Sequence, residues 1–162
     1  MKYHHVVEDI KKLLEKGNCW YEAFEHRPVR TSEEAAKIRL GYTLKQGAKA
    51  IIVRVKKSGG VKYFAMVVIP GDQRFDTNKV KSLLNAKDIR FATEAEIKQL
   101  TDGIELGGVP PFGNLFDLEV IADLGLLSNE KIIFNAGDRR LSIAVKSMDY
   151  RNLVNPKVAS IT

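Results

Sequence analysis

The stretch Gly107-Gly108-Val109-Pro110-Pro111-Phe112-Gly113 constrains this chain more than any other. Two adjacent glycines reach backbone angles closed to other residues and leave their N–H groups sterically bare. Two adjacent prolines fix φ and contribute no donors, so the loop is stiff and selective about which N–H groups it shows. A loop of this kind can hold backbone donors against a carbonyl oxygen or an oxyanion. It can equally be a tight connection between two elements, and the rest of the chain has to decide.

Along the chain, Val6, Val7, Ile10, Leu13 and Leu14 recur at helical spacing and Gly17 closes the run, which predicts an amphipathic helix over 3–16. Trp20 to His26 reads as a short strand. Thr31-Ser32-Glu33-Glu34 reads as a capping box, with Thr31 as cap and Glu34 three residues on, opening a short helix that stops at Gly41. The β-rich runs Lys49–Lys56 and Val61–Ile69 flank Ser58-Gly59-Gly60, the pattern of an antiparallel hairpin. Asp76 is placed to cap a helix through Leu84, and Thr93-Glu94-Ala95-Glu96 is a second capping box before Ile97 and Leu100. Beyond the glycine–proline loop, Glu119–Ala122, Lys131–Phe134 and Leu141–Val145 read as strands and Ser147–Leu153 as a final helix. The expected fold is α+β: a mixed, largely antiparallel central sheet with flanking short helices. With no repeat, low-complexity tract or linker, it is expected to be one domain over 1–162.

The formal net charge of +6, from 26 basic and 20 acidic residues, hints at a polyanionic partner. The charges form no long block, which suits a basic surface docking a folded RNA better than a disordered arm. The first residues carry charges throughout, unlike a signal peptide, and the single cysteine, Cys19, fits a reducing cytoplasm. Cys19 beside Trp20 reads as a buried structural thiol rather than a nucleophile.

Zinc-ligand spacings are absent, as are the phosphate loop, the dinucleotide-binding glycine turn and the nucleophile elbow. An enzyme of this sequence is therefore expected to work without metal, cofactor or covalent triad, mostly by positioning. Lys49 opens the apolar strand Ala50-Ile51-Ile52-Val53, where a lysine can sit at the mouth of a pocket or reach solvent. Asn135-Ala136-Gly137-Asp138-Arg139-Arg140 ends another strand with a turn. His26, before Pro28, has the setting of a packing histidine.

Six stretches in order form one pattern: Phe24-Glu25-His26-Arg27-Pro28-Val29, Thr31-Ser32-Glu33-Glu34-Ala35-Ala36, Gly47 to Val53, Pro70-Gly71-Asp72, Gly107 to Gly113, and Asn135 to Leu141. The pattern resembles the YbaK/prolyl-tRNA synthetase-associated domain family, free-standing relatives of the editing domain inserted in bacterial prolyl-tRNA synthetases, over about residues 3–155. The resemblance implies a trans-editing aminoacyl-tRNA deacylase that hydrolyses the ester between a wrong amino acid and the terminal adenosine of tRNA. It places Lys49 on the family's functional lysine and Gly107 to Pro111 (with Gly108, Val109 and Pro110) on the loop facing the scissile carbonyl. Phe24 and His26 fall where the family lines its pocket, and Asn135 and Gly137 on the turn that closes the site. Thr31, Phe112 and Gly113 are grouped with the pocket, and Arg139 and Arg140 are candidate tRNA phosphate contacts. Gly107 and Gly108 would donate to the oxyanion, while Lys49 would hold phosphate or neutralise developing charge.

Family members that remove cysteine carry a tyrosine and an acidic residue where this chain has Phe24 and Ser142. That points away from cysteine and toward alanine, serine or another small residue. Two alternatives stay open: an inactive tRNA-binding adaptor working beside a synthetase, and an amino-acid-binding module.

Overall fold

The computed structural model describes residues 2–39 and 41–162. The strand pattern builds two sheets. In the larger, β2 (Ala48–Lys56) and β3 (Lys62–Pro70) form the expected hairpin, pairing Ala48 with Pro70 and Lys56 with Lys62. Its turn closes with Lys57 N–H donating to Val61 O, and Gly60 takes a φ of +87° that favours glycine. β4 (Asp88–Phe91) adds antiparallel to β2, while β5 (Glu119–Asp123) and β8 (Lys157–Ala159) extend the other side in parallel, for the order β4-β2-β3-β5-β8. The smaller sheet is antiparallel throughout, with β1 (Tyr21–Glu25), β7 (Leu141–Lys146) and β6 (Lys131–Asn135) in that order. One parallel bridge, Gly47 to Ile133, links the sheets.

The α+β class is the one expected, with the strands divided between two sheets. Alternation along β3 shows how the larger one is covered on both faces. Met66 and Val68 face the main core, whereas Ala65, Val67 and Ile69 face a second core. Val80 and Leu84 of α3 (Thr77–Leu84) cap the second core. The main core receives Val6, Val7, Ile10 and Leu14 from α1 (Val6–Lys16), the buried stripe that its helical spacing predicts.

Capping follows the sequence closely. Asp76 accepts from the N–H groups of Asn78 and Lys79 at the start of α3. At α4 (Glu94–Leu100) the Thr93–Glu96 box is reciprocal, and Glu96 also pairs with Arg90 at 2.8 Å. Hydrogen bonds from Arg90, then from the Thr93 backbone, pull the Glu96 carboxyl down to about 2. At α2 (Ser32–Ile38) Thr31 Oγ1 accepts from Glu34 N–H, but the Glu34 carboxylate accepts from Arg30 N–H instead of closing the box. The chain continues through α5 (Leu124–Leu127) to α6 (Ser147–Val154).

α1 begins at Val6, later than expected, and the preceding histidines are tied down. His4 Nδ1 accepts from Val6 N–H, which leaves Nε2 to donate to the Asp102 carbonyl oxygen at 2.8 Å. His5 sits between the carboxylates of Asp102 and Asp9, at 3.0 and 3.2 Å. All four imidazole nitrogens thus have protein partners, so this trio works as a clamp. Bonds to Asp102, then to Asp9, raise the His5 pKa. A histidine raised on folding stabilises fully below its unfolded pKa of about 6.5, and the contribution fades as pH rises through the folded value. The melting temperature of His5→Gln is therefore expected to converge on wild type as pH rises from 5 to 8. A gap that does not change with pH would contradict the clamp.

Candidate active site

Strand register sets the site's frame. Phe24 of β1 pairs with Ser142 of β7, and Ser142 pairs with Asn135 of β6, so these three form one row across the smaller sheet. His26, two residues beyond Phe24, reaches the same row, with Nε2 2.7 Å from Ser142 Oγ. Over the row lies Arg39, at the C-terminal end of α2 and only 7% exposed. Its Nε donates to Ser142 Oγ and its Nη2 to Asn135 Oδ1, both at 2.9 Å. Asn135 Nδ2 in turn donates to Gly107 O at 2.7 Å. A single network therefore runs from His26 to the glycine loop.

This network borders a cavity of about 110 Å³, whose lining includes Thr31, Arg39, Lys49, Gly107, Val109 and Asn135. Five residues expected from sequence thus converge: Thr31, Lys49, Gly107, Val109 and Asn135. Lys49 Nζ donates to Gln73 O at 3.0 Å. Burial lowers its pKa from the ordinary lysine value, with Glu33 opposing that shift. Three cations, Arg30, Arg39 and Lys49, line the cavity, and among the described residues no carboxylate does. Gly107 takes a φ of +89°, and among the described residues its N–H donates to no acceptor.

Other expected site residues face elsewhere. Gly108 N–H donates to Glu105 O at 2.9 Å and closes the turn, so it is not an open oxyanion donor. A methyl at Gly108 would meet Glu105 O and Ile104 Cγ2 at 3.3 Å, away from the cavity lining. Phe112 is a core residue, its ring 5.4 Å from Phe134 and 5.5 Å from Tyr150, and Pro111 O accepts from the buried Tyr150 hydroxyl. Pro110 is buried too. Gly113 is glycine for packing, since a Cβ there would lie 2.5 Å from Val120 Cγ2. Gly137, at φ +102°, would put a Cβ 2.3 Å from Val6 Cγ1, and its N–H donates to Gly108 O. Phe24 and His26 stand behind the cavity, Phe24 edge-on to Tyr42 at 6.0 Å and His26 on Ser142. Burial lowers the His26 pKa, a setting for a neutral, bonded imidazole.

The two arginines after the turn are paired rather than open. Arg139 holds Glu105 at 2.8 Å but also borders a groove shared with Arg30 and Gly107 at the rim of the site. Arg140 is bonded to Asp138 and lies 5.5 Å over the Tyr3 ring. Cys19 is half-buried against the main core, and burial raises its thiol pKa, which disfavours the nucleophilic thiolate.

The residue that sequence reading missed is Arg39. It lies four positions after Ala35, the buried residue of α2, so it falls on the helix's inward face. An arginine on an inward face was the available signal.

The sequence model of the aminoacyl-tRNA editing domain matches residues 26–153. The chain belongs to this family. Among curated relatives of this editing domain, the multifunctional Ser/Thr-tRNA deacylase ProXp-y of Escherichia coli (strain K12) is 31% identical over 149 residues, covering 91% of this chain and 87% of that one. The proline–tRNA ligase of Ralstonia pickettii (strain 12J) is 31% identical over 98 residues, which cover 60% of this chain and 17% of the ligase. Among solved structures, the hypothetical protein APE2540 superposes with a TM-score of 0.80 at 26% identity, covering 94% of this chain and 97% of that one. A candidate trans-editing enzyme for prolyl tRNA synthetase has the same fold, with a TM-score of 0.80 at 23% identity and 99% of each chain covered.

Proposed function

We propose that this editing domain is a cytoplasmic trans-editing aminoacyl-tRNA deacylase for small aminoacyl groups, acting as one domain over 1–162. One observation carries the reading: Lys49, Gly107 and Asn135 meet at a cavity of about 110 Å³. Its cations grade from exposed Arg30 through half-buried Lys49 to buried Arg39, so the tRNA end is assigned to the outer side, where Arg30 and Lys49 offer positive charge to phosphate. Membership of the editing family and the deacylase named among its relatives support the same activity.

The chemistry asks little of the protein, because an aminoacyl ester is already activated. Water attacks the carbonyl carbon, a C–O bond forms and the carbonyl oxygen becomes an oxyanion. The tetrahedral intermediate then expels the ribose oxygen, which leaves with a proton. The Gly107 N–H is the donor positioned for the oxyanion. The Lys49 ammonium holds the adjacent phosphate or offsets developing charge. Backbone carbonyls or the neighbouring ribose hydroxyl orient the water, so no histidine base is required. A second site of this kind removes errors that a synthetase pocket cannot reject by binding alone.

The two glycines test the loop's role. Gly107→Ala strains the backbone at positive φ and puts a methyl 3.6 Å from Arg139 Cδ, and the shift it forces on the Gly107 N–H is expected to lower turnover by about tenfold or more. Gly108→Ala is expected chiefly to destabilise, by about 1–3 kcal/mol. Single-turnover deacylation and thermal melting of both variants check this; equal loss of turnover in the two would make the loop purely structural. Release of the amino acid from mischarged tRNA tests the activity itself. Salt-sensitive tRNA binding without release would favour the adaptor, and salt-insensitive binding of a free amino acid would favour the binding module.

A further inference from the structure

Among the described residues, Arg39 is a buried cation without a counter-ion. The ion pairs among the described residues leave it out, and its bonded partners, Ser142 and Asn135, are neutral. Burial alone pushes its pKa down to about 10. Two of its three nitrogens are fixed by Ser142 and Asn135, and among the described residues Nη1 has no hydrogen-bond partner. Such a group carries a desolvation cost that an apolar side chain of similar volume would avoid. Keeping it on the wall of a small cavity implies a ligand that uses it.

The grading of the cavity's lining says which part of the ligand that is, because Arg39 is the most buried of its three cations and shares the lining with Gly107. With the phosphate on the Arg30 and Lys49 side and the carbonyl at Gly107, the aminoacyl side chain is the part left to meet Arg39. A guanidinium donates and cannot accept, so it favours a side chain ending in an acceptor. A hydroxyl supplies one; a methyl supplies none, and a thiol is a weak acceptor. An amine reaching inward would meet like charge.

We propose that Arg39 is the specificity-determining residue of the site, presenting Nη1 to the side-chain oxygen of a hydroxylated aminoacyl group such as serine. The proposal rests on the deacylase reading. Ser142 and Asn135 act as positioning residues that fix the guanidinium plane, and His26 orients Ser142 from behind. Because Asn135 also holds Gly107 O, the bond that reads the side chain is coupled to the loop that faces the carbonyl.

Serine and alanine differ by this one oxygen, so their comparison isolates it. The experiment measures kcat/KM for Ser-tRNA and Ala-tRNA, on the same tRNA body, with wild type, Arg39→Lys, Arg39→Gln and Ser142→Ala, each checked for folding by circular dichroism melting. Wild type is expected to favour serine by about 10- to 100-fold, the range of a hydrogen bond to a charged group. Both Arg39 variants are expected to bring the ratio near unity by losing serine activity while alanine activity changes less. Ser142→Ala keeps the charge and loosens its aim, and is expected to lower the ratio about three- to tenfold; it decides the matter if the Arg39 variants do not fold. An unchanged ratio in folded variants, an equal loss on both substrates, or a wild type without serine preference would overturn the assignment while leaving the deacylase intact. A wild type that releases neither amino acid would overturn the deacylase reading and this assignment with it.

Discussion

Replacing Lys49 with alanine is expected to lower kcat/KM for deacylation by about 100- to 1,000-fold, the cost of removing one preorganised electrostatic group from an acyl-transfer site. The fold should hardly notice. Lys49 is half-buried at the start of β2, and among the described residues its side chain makes one hydrogen bond, to Gln73 O, worth about 1 kcal/mol. Activity and melting temperature should therefore separate in this variant. The pH profile gives a second reading. Burial holds the Lys49 pKa below the usual lysine value, so a role as a cation requires its advantage to be lost as pH rises through that depressed value. The ratio of wild-type to Lys49→Ala rates is thus expected to fall at alkaline pH, which cancels the intrinsic acceleration of ester hydrolysis by hydroxide. A Lys49→Ala variant with near-wild-type turnover would remove the lysine from the mechanism.

Phe112→Ala is expected to destabilise the protein by about 3–5 kcal/mol, because it removes a fully buried ring that meets Phe134 at a tilt and Tyr150 edge-on. The loss would also slacken the Tyr150 contact with Pro111 O, the bond that anchors the proline end of the glycine loop. Urea unfolding checks the figure through a lowered midpoint. A change below 1 kcal/mol would mean that the ring is not the packing centre its contacts indicate, and would return Phe112 to the pocket where its sequence position puts it.

The local grammar of the chain was legible. Side-chain caps at Thr31, Asp76 and Thr93, the stripe of α1 and the β2–β3 hairpin are written within a few neighbouring residues, and the structure has each of them. What depends on distant pairing was not. The split into two sheets follows from which strands find each other, and β4 and β8 are short edge strands with charged residues that give no alternating signal. In the site, the family resemblance grouped Lys49, Gly107 and Asn135, and all three line one cavity. Adjacency in sequence misled within the loop. From Gly107 to Gly113 the backbone turns, so successive residues face the cavity, the turn and the core, and a list of neighbours cannot say which faces which. Arg39 shows the opposite failure. It belongs to no motif, and only folding brings it to Ser142, 103 positions away.

The most direct test of the editing account is deacylation of a panel of mischarged tRNAs, chiefly Ala-, Ser- and Cys-charged species, by wild type and Lys49→Ala. The account predicts lysine-dependent hydrolysis of a small aminoacyl ester while correctly charged tRNA is spared. Failure to release any amino acid, together with tRNA binding that weakens steeply with salt, would contradict it and make the protein an adaptor.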